Sequence, residues 1–143
     1  MRVRPINLEE DYPILSTWWT RRGTEAPSIG LLQCDGVVAY DENGLVACGF
    51  LYEDKRGVIA MVEWEATNPD CCSALRSLRG LNTVFDFFEI YCGEQGLKLI
   101  LSWVTKERGD GRLLERRKWL KCAGERHELM CFAPKPVEVL CRQ

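Results

Sequence analysis

Residues 37–67 read VVAYDENGLVACGFLYEDKRGVIAMVEWEAT, and the way this stretch divides decides the fold. Three mostly apolar runs are separated by Asp41-Glu42-Asn43-Gly44 and by Asp54-Lys55-Arg56-Gly57, both rich in turn formers. Short apolar runs joined by such turns fold back on one another, so the stretch predicts an antiparallel meander, the second to fourth strands of the chain. In the last run, side chains alternate across the strand: Val58, Ala60, Val62, Trp64 and Ala66 share one face, and Ile59, Met61, Glu63 and Glu65 share the other. Two carboxylates are therefore neighbours on a face that otherwise carries apolar residues.

Downstream, Leu78, Leu81, Phe85, Phe88 and Cys92 recur at spacings of three and four, the stripe of one helix packed on a core. That helix stops at Gly93-Glu94-Gln95-Gly96. The run LKLILSWVT, residues 97–105, then has the character of a strand covered on both faces and parallel to the fourth. Residues 111–124, GRLLERRKWLKCAG, read as a shorter helix ended by Gly124, and 125–132, ERHELMCF, as a final strand or hairpin. Upstream, MRVRPI is a short strand. Residues 7–22 follow as a helix with Asn7 as its cap, acidic residues early, arginines late and Gly23 as the stop. Trp18 and Trp19 within it offer one indole to the core and one to the surface beside the following loop, with core packing the safer reading, and residues 23–36 read as a loop or one short helix. The order predicts a single α/β domain over 1–143, with helices on both faces of a mixed, mostly antiparallel sheet.

The 143 residues, 46% apolar and 28% charged, suffice for one core. A formal net charge of −2 gives no global attraction for nucleic acid or anionic membranes, and neither is expected as a partner. The opening residues hold no apolar segment of signal-peptide length, so a cytoplasmic location and a reducing environment are expected. In that setting the eight cysteines (Cys34, Cys48, Cys71, Cys72, Cys92, Cys122, Cys131 and Cys141) read as free thiols, several of them in apolar patterns where cysteine behaves as a small hydrophobe. Cys122, His127 and Cys131 have metal-like spacing, but three ligands with no CxxC pair make a weak signal, and no metal is expected. Residues 106–121 hold seven basic and three acidic side chains near Trp103 and Trp119, best read as a solvated helix face.

The stretch NPDCCSALRSLRGLN, residues 68–82, leaves two readings open. It is a helix capped by Asn68, with Pro69 at its first position, running to Gln95 with Gly80 as an interior defect of about 1 kcal/mol. Alternatively, the stretch is a loop whose backbone approaches a phosphate at a helix start.

The strand and helix order resembles that of the GNAT N-acetyltransferase superfamily over nearly the whole chain, from VRPINLEEDYPIL to LLERRKWLKCAGE. More narrowly it is similar to short GNAT-like proteins often encoded by bacteriophages, in which EW and NP likewise close the fourth strand. The resemblance implies a fold in which the fourth and fifth strands are parallel and splay apart to admit the pantetheine arm of acetyl-CoA. It implies a cofactor-binding set of Ala66, Thr67, Ser77, Arg79, Gly80, Leu81 and Asn82. It also implies that Glu63 or Glu65 acts as general base toward an amine on a protein or small metabolite. The chain departs from the family at two points. Its phosphate loop is degraded in either alignment: started at Ser77 it has Gly80 and Asn82 at the two usual glycine-type positions, and started at Arg76, by the family's usual helix length back from Glu94-Gln95-Gly96, it has Arg79 and Leu81 there. The tyrosine that protonates the leaving thiolate is missing between Gly111 and Gly124, where Arg116, Arg117 and Trp119 stand instead. A non-catalytic alternative follows from those departures: the fold kept as a scaffold that binds and modulates a bacterial host protein.

Overall fold

The computed structural model describes residues 1–71, 73–105, 110–123 and 127–134. In chain order these form β1 (Arg2–Pro5), α1 (Leu8–Thr20), a 3-10 turn (Ile29–Leu32), β2 (Asp35–Asp41), β3 (Gly44–Glu53), β4 (Ile59–Thr67), α2 (Ala74–Glu94), β5 (Leu99–Thr105), α3 (Asp110–Arg116), β6 (Leu120–Ala123) and β7 (His127–Phe132). The strands make a seven-stranded mixed sheet in the order β1-β2-β3-β4-β5-β7-β6. β4 and β5 pair in parallel, while β1–β2, β2–β3, β5–β7 and β6–β7 pair antiparallel. The expected α/β class, meander and parallel pair are all present. The chain divides into two compact units, Met1–Tyr52 with Glu63–Phe88, and Glu53–Val62 with the chain from Glu89 onward.

In the first unit, α1 begins as its sequence dictates: the Asn7 side chain accepts from the Glu9 N–H, and Glu9, Glu10 and Asp11 occupy the first turn. Asp11 is buried and accepts from Arg4 at 2.7 and 2.8 Å and from the Asn7 N–H at 2.9 Å, which fastens α1 to β1. The Arg4 guanidinium holds the Asp11 carboxyl below its ordinary pKa against the opposing effect of burial. Leu15, Trp18 and Trp19 form a core with Leu32, Val38, Cys48, Phe50 and Ala66. Both indoles are 2% exposed, so the core-packing reading holds and neither lies near the surface; the 3-10 turn contributes Leu32 to the cluster they fill. Alternation along β3 gives its other face to α2. A β-carbon at Gly49 would meet Val84 at 2.9 Å and Phe88 at 3.2 Å.

α2 differs from both readings of residues 68–82. Its first residue is Ala74, not Pro69, and it runs through Gly80 without interruption. Asn68 caps a turn instead: its side chain accepts from the Asp70 N–H and donates to the Leu45 carbonyl, and the Cys71 N–H returns to the Asn68 carbonyl. Ser73 takes the cap position, its hydroxyl accepting from the Arg76 N–H at 3.1 Å.

In the second unit, Asp54 closes the turn into β4 by accepting from the N–H groups of Val58 and Ile59 at 2.6 and 2.8 Å. The parallel register with β5 then runs from Ile59↔Leu99 to Val62↔Ser102. Residues 111–124, expected to be one helix, are α3 followed by β6. The helix ends at Arg116, and Lys118 takes a positive φ of 67° that reverses the chain. Trp119 is 2% exposed, donates its indole N–H to Glu89 at 2.8 Å and stacks on Phe132 at 5.7 Å. Leu120 to Ala123 are thereby delivered to β7 as a strand. Gly124, the expected helix stop, lies outside the described residues, as do Lys106 and Arg108 of the basic stretch.

Candidate functional site

The sequence-derived site residues all fall in the first unit, on β4 and α2. β4 is not the uniform strand that its alternation suggests. Trp64 has φ 57°, a left-handed conformation that a bulky residue adopts only where its surroundings impose it. The reason is legible in the packing: with Ala66, the Trp64 side chain lies against the α1 cluster, and its carbonyl faces the buried Cys48 thiol, Sγ to O 4.0 Å. Burial pushes the Cys48 thiol upward, so it stays protonated and acts as a small core residue. The parallel ladder with β5 ends two residues before Trp64, at Val62, although β4 continues to Thr67.

Glu63 and Glu65 flank Trp64 and are both half-buried. The Glu65 Cγ stands 3.8 Å from where a β-carbon on Gly49 would be, which puts Glu65 on the side of the sheet that α2 covers with Val84 and Phe88. Ala66 and Thr67 are buried, at 5% each. Arg22 donates both to the Thr67 carbonyl at 3.2 Å and to its hydroxyl, tying the end of β4 to the end of α1. Beside it, Arg21 forms a bidentate pair with Asp70 at 2.7 and 2.8 Å, a solvent-exposed contact.

Ser77, Arg79, Gly80, Leu81 and Asn82 lie within the first turns of α2. From Ser77 onward, whose N–H donates to the Ser73 carbonyl at 3.2 Å, their backbone N–H groups are in the helical ladder, because only the first turn of a helix leaves donors unpaired. Gly80 is buried against β3, where an added β-carbon would meet Val46 Cγ1 at 2.6 Å and the Ala47 β-carbon at 3.0 Å. Its lack of a side chain serves close approach of helix to sheet. Asn82 donates back to the Leu78 carbonyl at 3.0 Å, inside the helix.

The start of α2 borders a cavity of about 320 Å³ lined by Met1, Asp41, Glu42, Asn43, Ser73, Leu75, Arg76 and Arg79. Its polar wall is fixed by the Asp41–Arg76 pair, Nη2 to Oδ1 2.6 Å and Nε to Oδ2 2.8 Å, with the Asn43 N–H also donating to Asp41. These bonds, the Arg76 contact foremost, lower the Asp41 pKa from 3.8 to about 2. Neither this pair nor the Trp64 conformation was inferred from the sequence. Both depend on chain segments far apart in order, and no local pattern announces them.

No protein-family model matches the chain, and no curated protein matches it in sequence. Solved structures do. The ribosomal-protein-S18-alanine N-acetyltransferase from Escherichia coli superposes with a TM-score of 0.74 over 94% of each chain at 12% identity. Ard1 from Thermoplasma volcanium gives 0.76 at 14% identity, over 92% of this chain and 96% of its own. An N-acetylglutamate synthase from Neisseria gonorrhoeae, complexed with coenzyme A and L-arginine, gives 0.70 at 10% identity over 92% of this chain and 32% of its own. The chain has a GNAT-like fold. Identities this low speak to the fold and not to a site, since one fold hosts many functions.

Proposed function

We propose that the protein is a GNAT-type N-acyltransferase that moves an acetyl group from acetyl-CoA to an amine on a protein or small metabolite. The observation that supports this most is on β4, where the parallel ladder stops at Val62 and Trp64 is held at φ 57°. Strain of this kind, held in place by the surrounding packing, clusters at working sites, where it pre-organises the neighbouring groups. Beside the strained residue stand Glu63 and Glu65, half-buried carboxylates that can take a proton from an attacking ammonium or amine. The amine then adds to the thioester carbonyl, and the tetrahedral intermediate expels the CoA thiolate. Residues 111–124 supply no tyrosine to protonate that thiolate, which takes its proton from water.

A second reading has its own observation. α2 is helical through residues 77–82, and Gly80 is committed to packing, which removes the loop that would cradle a pyrophosphate. On this reading the protein is a GNAT-fold binding protein of bacteriophage type acting in the host cytoplasm on a bacterial protein. Calorimetry with CoA and acetyl-CoA separates the two. Low-micromolar or tighter binding supports the acyltransferase; absence of heat at millimolar ligand overturns it and leaves the scaffold.

A further inference from the structure

The Cys122 and Cys131 thiols stand 2.8 Å apart, Sγ to Sγ, on adjacent antiparallel strands. The register explains the contact. Leu120 pairs with Cys131 and Lys121 with Met130, but Ala123 pairs with Leu129, so β6 has one residue more than β7 over this stretch. The extra residue is Cys122. In an even ladder position 122 would oppose Leu129; a bulge re-aims its side chain, here toward Cys131. Cys122 is exposed and Cys131 half-buried, and the Cys122 sulfur also lies 3.6 Å from the Leu120 carbonyl. A disulfide has its sulfurs about 2.04 Å apart. Closing the bond therefore asks each sulfur to move by a fraction of an ångström, with no parting of the strands. Cys48 and Cys92, by contrast, are fully buried in the core and out of reach of a reagent.

We propose that Cys122 and Cys131 form a reversible thiol–disulfide site that reacts with low-molecular-weight disulfides of the glutathione class and closes as a covalent link between β6 and β7. In the first step the exposed Cys122, as thiolate, attacks one sulfur of the small disulfide. A protein–S–S–R bond forms, the reagent's S–S bond breaks, and one RS⁻ departs and takes a proton from solvent. In the second, Cys131 loses its proton to solvent and attacks the Cys122 sulfur, forming the Cys122–Cys131 bond and releasing a second RS⁻, which is protonated in turn. The protein dithiol is oxidised by two electrons, and one RSSR is reduced to two RSH. Excess RSH reverses both steps. Among the described residues no group of three His, Cys, Asp or Glu side chains could hold a metal.

The test is peptide mapping of the intact protein after incubation with oxidised glutathione. Trypsin cuts between the two cysteines at Arg126, and chymotrypsin cuts after Phe132, separating Cys131 from Cys141. The expected product is a peptide pair linked through Cys122 and Cys131, with two fewer titratable thiols, both restored by dithiothreitol. In Cys131→Ser the resolving thiol is gone, so glutathione should accumulate on Cys122 at least tenfold above its level in the unsubstituted protein. Recovery of Cys122 and Cys131 as free, alkylatable thiols in the treated protein overturns the proposal. So does equal glutathione occupancy of Cys122 in the two proteins, since it would mean that Cys131 resolves nothing.

Discussion

Gly80 has no room for a methyl group. Alanine is the better helix former by about 1 kcal/mol, which from the sequence predicts that Gly80→Ala stabilises. The position is instead pressed against Val46 and Ala47, one a stiff β-branched side chain and the other a β-carbon fixed to the strand. Overpacking of this kind costs roughly 1–3 kcal/mol, enough to cancel or exceed the helical gain. Gly80→Ala is therefore expected to lower the denaturant midpoint with an unchanged m-value, by up to about 2 kcal/mol net. Asp41 gives a second residue-scale expectation. Its folded-state pKa of about 2 lies below the ordinary 3.8, so the unfolded chain binds the proton more readily. The stability it contributes is fully present above the unfolded value and is lost as pH falls through the folded one. The stability gap between the unsubstituted protein and Asp41→Asn should be widest near neutral pH and should close between about pH 4 and about pH 2. A gap that persists unchanged at the acid end would show that Arg76 does not hold the carboxylate in this way.

At the scale of elements, Glu89 on α2 is the fixed point from which β6 takes its direction. Its carboxylate accepts from Arg117 at 3.0 and 2.9 Å and from the Trp119 indole at 2.8 Å, in surroundings that leave Arg117 only 12% exposed. Glu89→Ala removes the acceptor shared by the Arg117 guanidinium and the Trp119 indole, at a cost of about 2–4 kcal/mol, and Glu89→Gln, which keeps an acceptor, should cost less. Denaturation with near-ultraviolet circular dichroism reads both, the latter through the Trp119–Phe132 stack. The same contacts explain what could be read from the chain and what could not. The meander was legible because Asp41–Gly44 and Asp54–Gly57 are local turn chemistry, and the stripe of α2 because Phe85, Phe88 and Cys92 repeat at helical spacing. The break between α3 and β6 was not. RLLERRKWLK is helical by composition, and only the distant Glu89 and Phe132 draw Trp119 out of the helix. The start of α2 was hidden for a similar reason, since Asn68-Pro69-Asp70 has the residues of a helix cap but spends them on a turn anchored to Leu45. Of the candidate site, Glu63 and Glu65 were placed correctly on one strand, whereas the conformation of Trp64 between them has no sequence signature.

At the scale of the molecule, a GNAT-like fold with a strained β4 and an α2 that is helical through residues 77–82 can serve catalysis or binding, and the two carboxylates on β4 are where these alternatives part. Glu65→Gln keeps the shape of the side chain and removes its basicity. If Glu65 takes the proton of the acceptor amine, acetyl transfer should fall by roughly 10²- to 10⁴-fold while affinity for acetyl-CoA and the denaturation midpoint stay nearly unchanged. Raising the pH should recover part of the lost rate, because an amine deprotonated by solvent no longer needs the carboxylate. Glu63→Gln serves as the internal comparison: the larger loss in kcat identifies the base, and the smaller one marks the residue that shapes its surroundings. Equal turnover in both variants and the unsubstituted protein, over the whole pH range, would remove β4 from the chemistry. The strain at Trp64 would then have to be explained by what that strand presents to a partner.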